Sequence, residues 1–272
     1  MKKIFLYSAL ALLFFAAACS SPSNQASEAA EEERSPAEMT ASAEEAGDNS
    51  LTEQERQDGW LLLFDGEAPD HWRGAHRDAF PESGWTVENG QLIVQESDGA
   101  ESQNGGDIVT QNEYANFEFQ VDFKLTEGAN SGIKYFVTEG YGSDRSAIGL
   151  EYQLLDDVRH PDAKLGNNGG DTRTLASLYD LKSASKDKPF KGIGEWNTAR
   201  LVVQGNHVEH YLNGEKVLEY ERGSDEYNTL VENSKYKKWD NFGMADSGHI
   251  LLQDHGNRVY FKNIKVRELP AS

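Results

Sequence analysis

Phe117–Leu125 reads FEFQVDFKL. In an extended chain, successive side chains point to opposite sides, so Phe117, Phe119, Val121, Phe123 and Leu125 share one face. Glu118, Gln120, Asp122 and Lys124 share the other. One face covers a core and the other meets water. Outward from this strand the same grammar recurs. WTVENGQLIV sets Asn89-Gly90 between two apolar runs, and VEHYLNGEKVLEY does the same with Asn213-Gly214. Asn-Gly supplies the positive φ angles a tight hairpin turn needs. In VYFKNIKV, Val259 and Phe261 have odd parity but Ile264 and Val266 have even parity. One residue near Asn263 must therefore be extra, which predicts a β-bulge. No segment carries a sustained helical period, and no βαβ rhythm or repeat is present. The one long irregular stretch runs from about residue 156 to 191. Together these features predict an all-β, two-sheet antiparallel sandwich.

The 272 residues suffice for one large β domain. The chain opens with MKKIFLYSALALLFFAAAC, a basic start, an apolar stretch and small residues running into Cys19, the form of an export signal cut before a cysteine. Residues 1–18 are expected to be a lipoprotein signal peptide and Cys19 the lipidated residue. Cys19 is the only cysteine, so no disulfide supports the fold. Residues 19–55 are rich in Ala, Ser, Glu and Pro and poor in aliphatic and aromatic groups, the composition of a disordered acidic tether. The folded domain is expected over 56–272. The formal net charge is −20, and the acidity extends through the domain. That balance argues against nucleic acid as a partner. The expected location is a membrane-anchored lipoprotein, on the periplasmic side or the cell surface.

Polar residues gather in four places. HILLQDHG embeds Gln253, Asp254 and His255 behind an apolar run. The alternation puts Gln253 and His255 opposite Ile250 and Leu252, and the strand is expected to break near Asp254. GLEYQLLDD puts Glu151 and Gln153 on one face and Asp156 on the other. SLYDL contributes Tyr179, and NSGIKY places Lys134 opposite Ile133 and Tyr135. A carboxylate in mid-strand is costly without a partner. Trp239 in KKWDNF is the best-placed ring for stacking on a ligand. No cofactor is required by these residues. A divalent metal stays open, because Asp156, Asp157, His160 and Asp162 crowd one loop, although their spacing matches no closed zinc motif.

The order GWLLLFDG, WTVENGQL, YANFEFQVDFKL, NSGIKYFV, EYQLLDD, SLYDL, GEWNTARLVVQGNHVEHYLNG and ILLQDHGNRVYFKNIKVREL resembles the 3-keto-disaccharide hydrolase family across the whole expected domain. The resemblance implies a concanavalin-like jelly-roll β-sandwich acting on glycosides already oxidised to a ketone at C3. It implies Glu151 or His255 as base, Lys134 beside the developing enolate and Tyr179 at the leaving oxygen. Gln153, Asp156, Gln253, Asp254 and Trp239 would bind substrate. One departure is Ala176, where the family tends to have glycine.

Two other classes compete. A carbohydrate-binding module can use the same fold, but it needs no combination of His, Lys, Tyr and carboxylates drawn from distant segments. A conventional glycosidase needs paired carboxylates. In the run from Glu151 to Asp156 the middle position is the amide Gln153, and Asp156 changes face.

Overall fold

The computed structural model describes residues 46–97, 104–141, 146–168 and 170–271. The expected signal segment, Cys19 and the tether up to residue 45 lie outside them. The strands are β1 (Leu61–Leu62), β2 (Trp72–Gly74), β3 (Trp85–Glu88), β4 (Gln91–Val94), β5 (Ile108–Thr110), β6 (Phe117–Leu125) and β7 (Asn130–Tyr141). They continue with β8 (Ser146–Leu155), β9 (Asn197–Gln204), β10 (His207–Leu212), β11 (Glu215–Glu221), β12 (His249–Leu252) and β13 (Val259–Glu268). They form two antiparallel sheets. The first runs β11-β10-β9-β6-β13-β4-β3, with β1 also paired to β13, and the second runs β2-β5-β12-β7-β8. This is the sandwich that the alternation predicted.

FEFQVDFKL is β6, held between β9 and β13 in the middle of the first sheet. Its five apolar side chains are fully buried. They share one core with Ile133, Tyr135, Leu150, Tyr152 and Leu252 of the second sheet. Complete burial of each such side chain contributes about 1.5–3 kcal/mol. On the outer face, Glu118 accepts from Arg200 at 2.6 Å and from Arg267 at 2.5 Å, both on neighbouring strands. Charge pairs thus cover part of the outer face of the first sheet.

Both Asn-Gly pairs turn hairpins, with φ of 52° and 71° at Asn89 and Gly90, and 48° and 87° at Asn213 and Gly214. The bulge is present. Lys262 pairs with Asp122 and Lys265 with Gln120, so β13 spends one residue more than β6 there, and Asn263 has φ 53°. Asn49 clasps it. The Asn49 amide donates to Asn263 Oδ1 at 2.6 Å, the Asn263 amide donates to Asn49 Oδ1 at 2.9 Å, and Asn49 Nδ2 reaches Gly90 O at 2.8 Å.

Two sequence expectations change here. Helix α1 (Glu53–Gln57) begins in a Thr52/Glu55 capping box and Glu55 pairs with Lys265, so the folded region takes in residues that composition assigned to the tether. A second helix, α2 (Asp225–Glu232), is capped by Ser224 and followed by a 3-10 turn (Lys235–Lys238). The region after β11 is therefore helical, where no helix was expected.

Candidate active site

A cleft of about 600 Å³ opens on the outer face of the second sheet. Its floor follows from strand register. Glu151 and Gln153 alternate with Leu150, Tyr152 and Leu154, so the apolar set faces the core and the polar pair faces outward. Lys134 of β7 lies directly across from Glu151, and Gly132 lies across from Gln153. The Gln253 amide donates to Gly132 O at 3.0 Å, which brings the residue after β12 into the same row. Asp107, just ahead of β5, meets Lys134 Nζ at 3.5 Å and accepts from the Asp254 amide at 3.0 Å. Four strands thus deliver one polar surface. At its centre Gly132 has no side chain, and the Glu151 carboxylate leans over it: a β-carbon at Gly132 would lie 2.3 Å from Glu151 Oε1.

Several floor atoms are buried without a hydrogen-bond partner. They include both ends of the Gln153 amide, Asn130 Oδ1 and His255 Nδ1. All three residues line the cleft. An unsatisfied buried polar group costs about 1–3 kcal/mol, so three of them converging on one cavity mark a surface built to bind a polar molecule. His255 meets His160 edge to face at 5.9 Å. Burial, and then the adjacent His255, lower the His160 pKa and favour its neutral ring.

The wall beside β8 is the SLYDL loop, which runs along Glu151–Gln153 almost as a further strand. The Ala176 amide donates to Gln153 O at 2.8 Å and the Tyr179 amide to Glu151 O at 3.0 Å. Ala176 has φ 65°, the left-handed conformation that glycine adopts freely and alanine resists. Its carbonyl is held from below. His210 Nδ1 donates to Ala176 O at 2.9 Å, Tyr135 OH donates to His210 Nε2 at 2.8 Å, and Tyr220 OH lies 2.7 Å from Tyr135 OH. Complete burial lowers the His210 pKa to about 4, which keeps the ring neutral for this arrangement.

Tyr179 itself donates to Asp162 Oδ2 at 2.8 Å, and Arg173 binds Asp162 at 2.6 Å and Asp180 at 2.7 Å. Burial, followed by the charges of Glu151 and Asp162, pushes the Tyr179 hydroxyl pKa far up. The phenol keeps its proton and directs it at Asp162. It therefore offers the cleft lone pairs, whereas the resemblance implied a proton donor.

The sequence signature of the 3-keto-alpha-glucoside-1,2-lyase-like domain matches residues 59–267. The chain belongs to this family. A 3-keto-disaccharide hydrolase of Bacteroides thetaiotaomicron is 38% identical over 235 residues, covering 78% of this chain and 79% of that protein. A crystal structure from Parabacteroides distasonis, of a protein classed provisionally as a glycosyl hydrolase, superposes with a TM-score of 0.71. It is 32% identical and covers 82% of this chain and 100% of its own. A second such structure from the same organism gives a TM-score of 0.58 at 27% identity, over 77% of this chain and 99% of the other.

In this member of the 3-keto-alpha-glucoside-1,2-lyase-like family, Lys134, Glu151, Gln153, Tyr179, Trp239, Gln253 and His255 come together around the cleft. Two expected substrate-binding carboxylates do not join them. Asp254 is fully buried and accepts from the amides of Gly105, Gly106 and Gly256 at 3.0–3.1 Å, which ties the loop before β5 to the end of β12. Asp156 accepts from the amides of Val158 and Arg159 in its own loop and of Gly128 in the turn between β6 and β7, and so ties the two together. The loop offered for a metal is likewise engaged internally: Asp157 binds Lys188 and the Leu175 amide, Asp162 binds Arg173 and Tyr179, and the Asp162 amide donates to His160 Nδ1. The metal-like cluster among the described residues is His207, Glu209 and Glu219, an outer group into which Lys216 Nζ already inserts.

Sequence reasoning passed over Asp107, Asn130 and the cleft-lining cations Arg77, Lys235 and Lys238. Asn130 was within reach, because it shares the parity of Lys134 in NSGIKY. Asp107 carried no local signal, since its meaning comes from β7 and from Asp254, far away in the chain.

Proposed function

We propose that this protein hydrolyses the glycosidic bond of 3-keto-glycosides, disaccharides among them. The observation that carries the reading is the Lys134–Glu151 cross-strand pair beside the unspent Gln153 amide, on the floor of a cleft in a member of this family. A ketone at C3 acidifies the C2 hydrogen. Glu151, leaning over the centre of the floor, takes that proton while Lys134 stabilises the charge that moves onto the C3 oxygen. The enolate then re-forms the ketone and expels the C1 oxygen, which leaves as an alcohol after receiving a proton, with His255 as its donor. Water adds across the C1–C2 double bond, its hydroxyl to C1 and its proton to C2. Gln153, Asn130 and Gln253 hold sugar hydroxyls, and Tyr179 accepts from one. The test is chromatographic: purified protein is expected to release free 3-keto-sugar from a panel of 3-keto-glycosides and to leave the unoxidised parents intact. Cleavage of the parents at equal rate would overturn the reading.

We also propose that Cys19 carries a lipid that tethers the domain to a membrane, on the periplasmic side or at the cell surface, because the residues before it have the form of a lipoprotein signal. Cys19→Ser is expected to move the protein from washed membranes to the soluble fraction with the domain still folded. Its persistence in the membranes would count against the anchor.

A further inference from the structure

Apart from Gly149 and Tyr236, the buried lining of the cleft is acidic or amide, Glu151, Asp107, Gln153, Asn130 and Gln253, with the half-buried Lys134 set among them. The lining residues that are exposed are His76, Arg77, Lys235 and Lys238. Among the described residues, every exposed side chain lining the cleft is thus a cation or an imidazole, on a protein whose formal net charge is −20. They come from two unrelated segments, the turn after β2 and the 3-10 turn after α2, so the grouping is a product of the fold.

Several half-buried cations elsewhere pair with carboxylates, as Lys182 does with Glu226, Lys188 with Asp157 and Lys262 with Asp48. Among the described residues, Arg77 and Lys238 have no carboxylate at ion-pair distance. Lys238 Nζ instead stands 4.0 Å from the centroid of the Trp239 ring. Carboxylates outnumber cations in this chain, so the cations grouped at the described mouth depart from its overall charge balance. A cleft lined at its entrance by one sign of charge concentrates ligands of the other sign.

We infer that the leaving part of the substrate carries an anionic oxygen group, a carboxylate, sulfate or phosphate, which Arg77 and Lys238 bind at the mouth. This rests on the function proposed above. The oxidised ring must reach the floor, where Lys134 and Glu151 lie, so whatever it is joined to projects past the exposed rim. An arginine fork matches the paired oxygens of all three anions, and a lysine adds a point charge.

The experiment compares the 3-keto-glucosides of 4-hydroxybenzoate and 4-hydroxybenzamide, in both anomeric forms. The two aglycones have nearly the same shape, and the amide is the better leaving group, so chemistry alone favours the neutral compound. The carboxylate is expected to lead in kcat/KM by on the order of tenfold, mostly through KM. Its lead should shrink toward parity in the Arg77→Ala/Lys238→Ala variant and at about 1 M salt, where screening reaches only ~3 Å. Matching aryl sulfate and aryl phosphate esters then tell which anion is preferred. Equal cleavage of both benzoyl compounds by the unaltered protein overturns the inference and leaves the proposed function standing. Cleavage of neither overturns both. A carboxylate preference that survives the double substitution shows that Arg77 and Lys238 are not its source.

Discussion

Glu151→Gln is expected to slow release of 3-keto-sugar by on the order of a hundredfold or more, with KM little changed. The substitution keeps the size and polarity of the side chain and removes only its ability to take a proton. The geometry favours Glu151 over His255 as the base, because its carboxylate leans over the centre of the floor and stands opposite Lys134, the cation best placed for the C3 oxygen. His255→Asn should cost less with aryl leaving groups, which depart readily without a proton, and more with sugar leaving groups. Reaction in deuterated water adds a second readout. Elimination followed by hydration puts deuterium at C2 of the released keto-sugar, measured at early times against a control for exchange of free product. Full retention of the C2 hydrogen would sink the elimination route and point to displacement at C1. A Glu151→Gln variant as fast as the parent, with His255→Asn inactive, would move the base to His255.

Much of this site could be read from parity alone. Lys134 opposite Ile133, and Glu151 with Gln153 opposite Tyr152, follow from period two, and the register of β7 against β8 turns those separate facts into one surface. The bulge at Asn263 was legible for the same reason, since a change of parity inside a strand requires an extra residue. Asp254 and Asp156 were misassigned because a carboxylate that braces backbone amides looks, in sequence, like one that meets a substrate. The amides that hold Asp254 belong partly to Gly105 and Gly106, nearly 150 positions earlier. Asn49 is similar: an asparagine at the end of an acidic low-complexity run gives no sign that it clasps a bulge more than 200 residues away. Helix α2 differs, because its signal was present. Ser224 stands ahead of two acidic residues, and Tyr227, Leu230 and Val231 are spaced three and four apart, which is enough for two turns. The helix was overlooked because strand alternation dominates the sequence around it.

Gly132→Ala is expected to lower kcat on the order of a hundredfold while leaving the protein folded. Gly132 lies inside β7 without a positive φ, so its backbone accepts alanine. What alanine meets is the Glu151 side chain, with Oε1 at 2.3 Å, Cδ at 3.0 Å and Cγ at 3.1 Å from the added carbon. These are the outer atoms of a side chain that can turn about its own bonds. The cheapest relief is for the carboxylate to swing off the centre of the floor, and the fold loses little because no core contact is involved. Catalysis loses more, since a displacement of about 1 Å between base and proton is enough to cost two orders of magnitude. A melting experiment together with a double variant separates this account from general damage. If the methyl group acts through Glu151, then Gly132→Ala in the Glu151→Gln background should slow the reaction little beyond Glu151→Gln alone, because the carboxylate it displaces is already gone. Fully multiplicative losses would mean that the methyl group blocks the substrate itself. A large fall in thermal midpoint would mean instead that the strand, and not the carboxylate, had yielded.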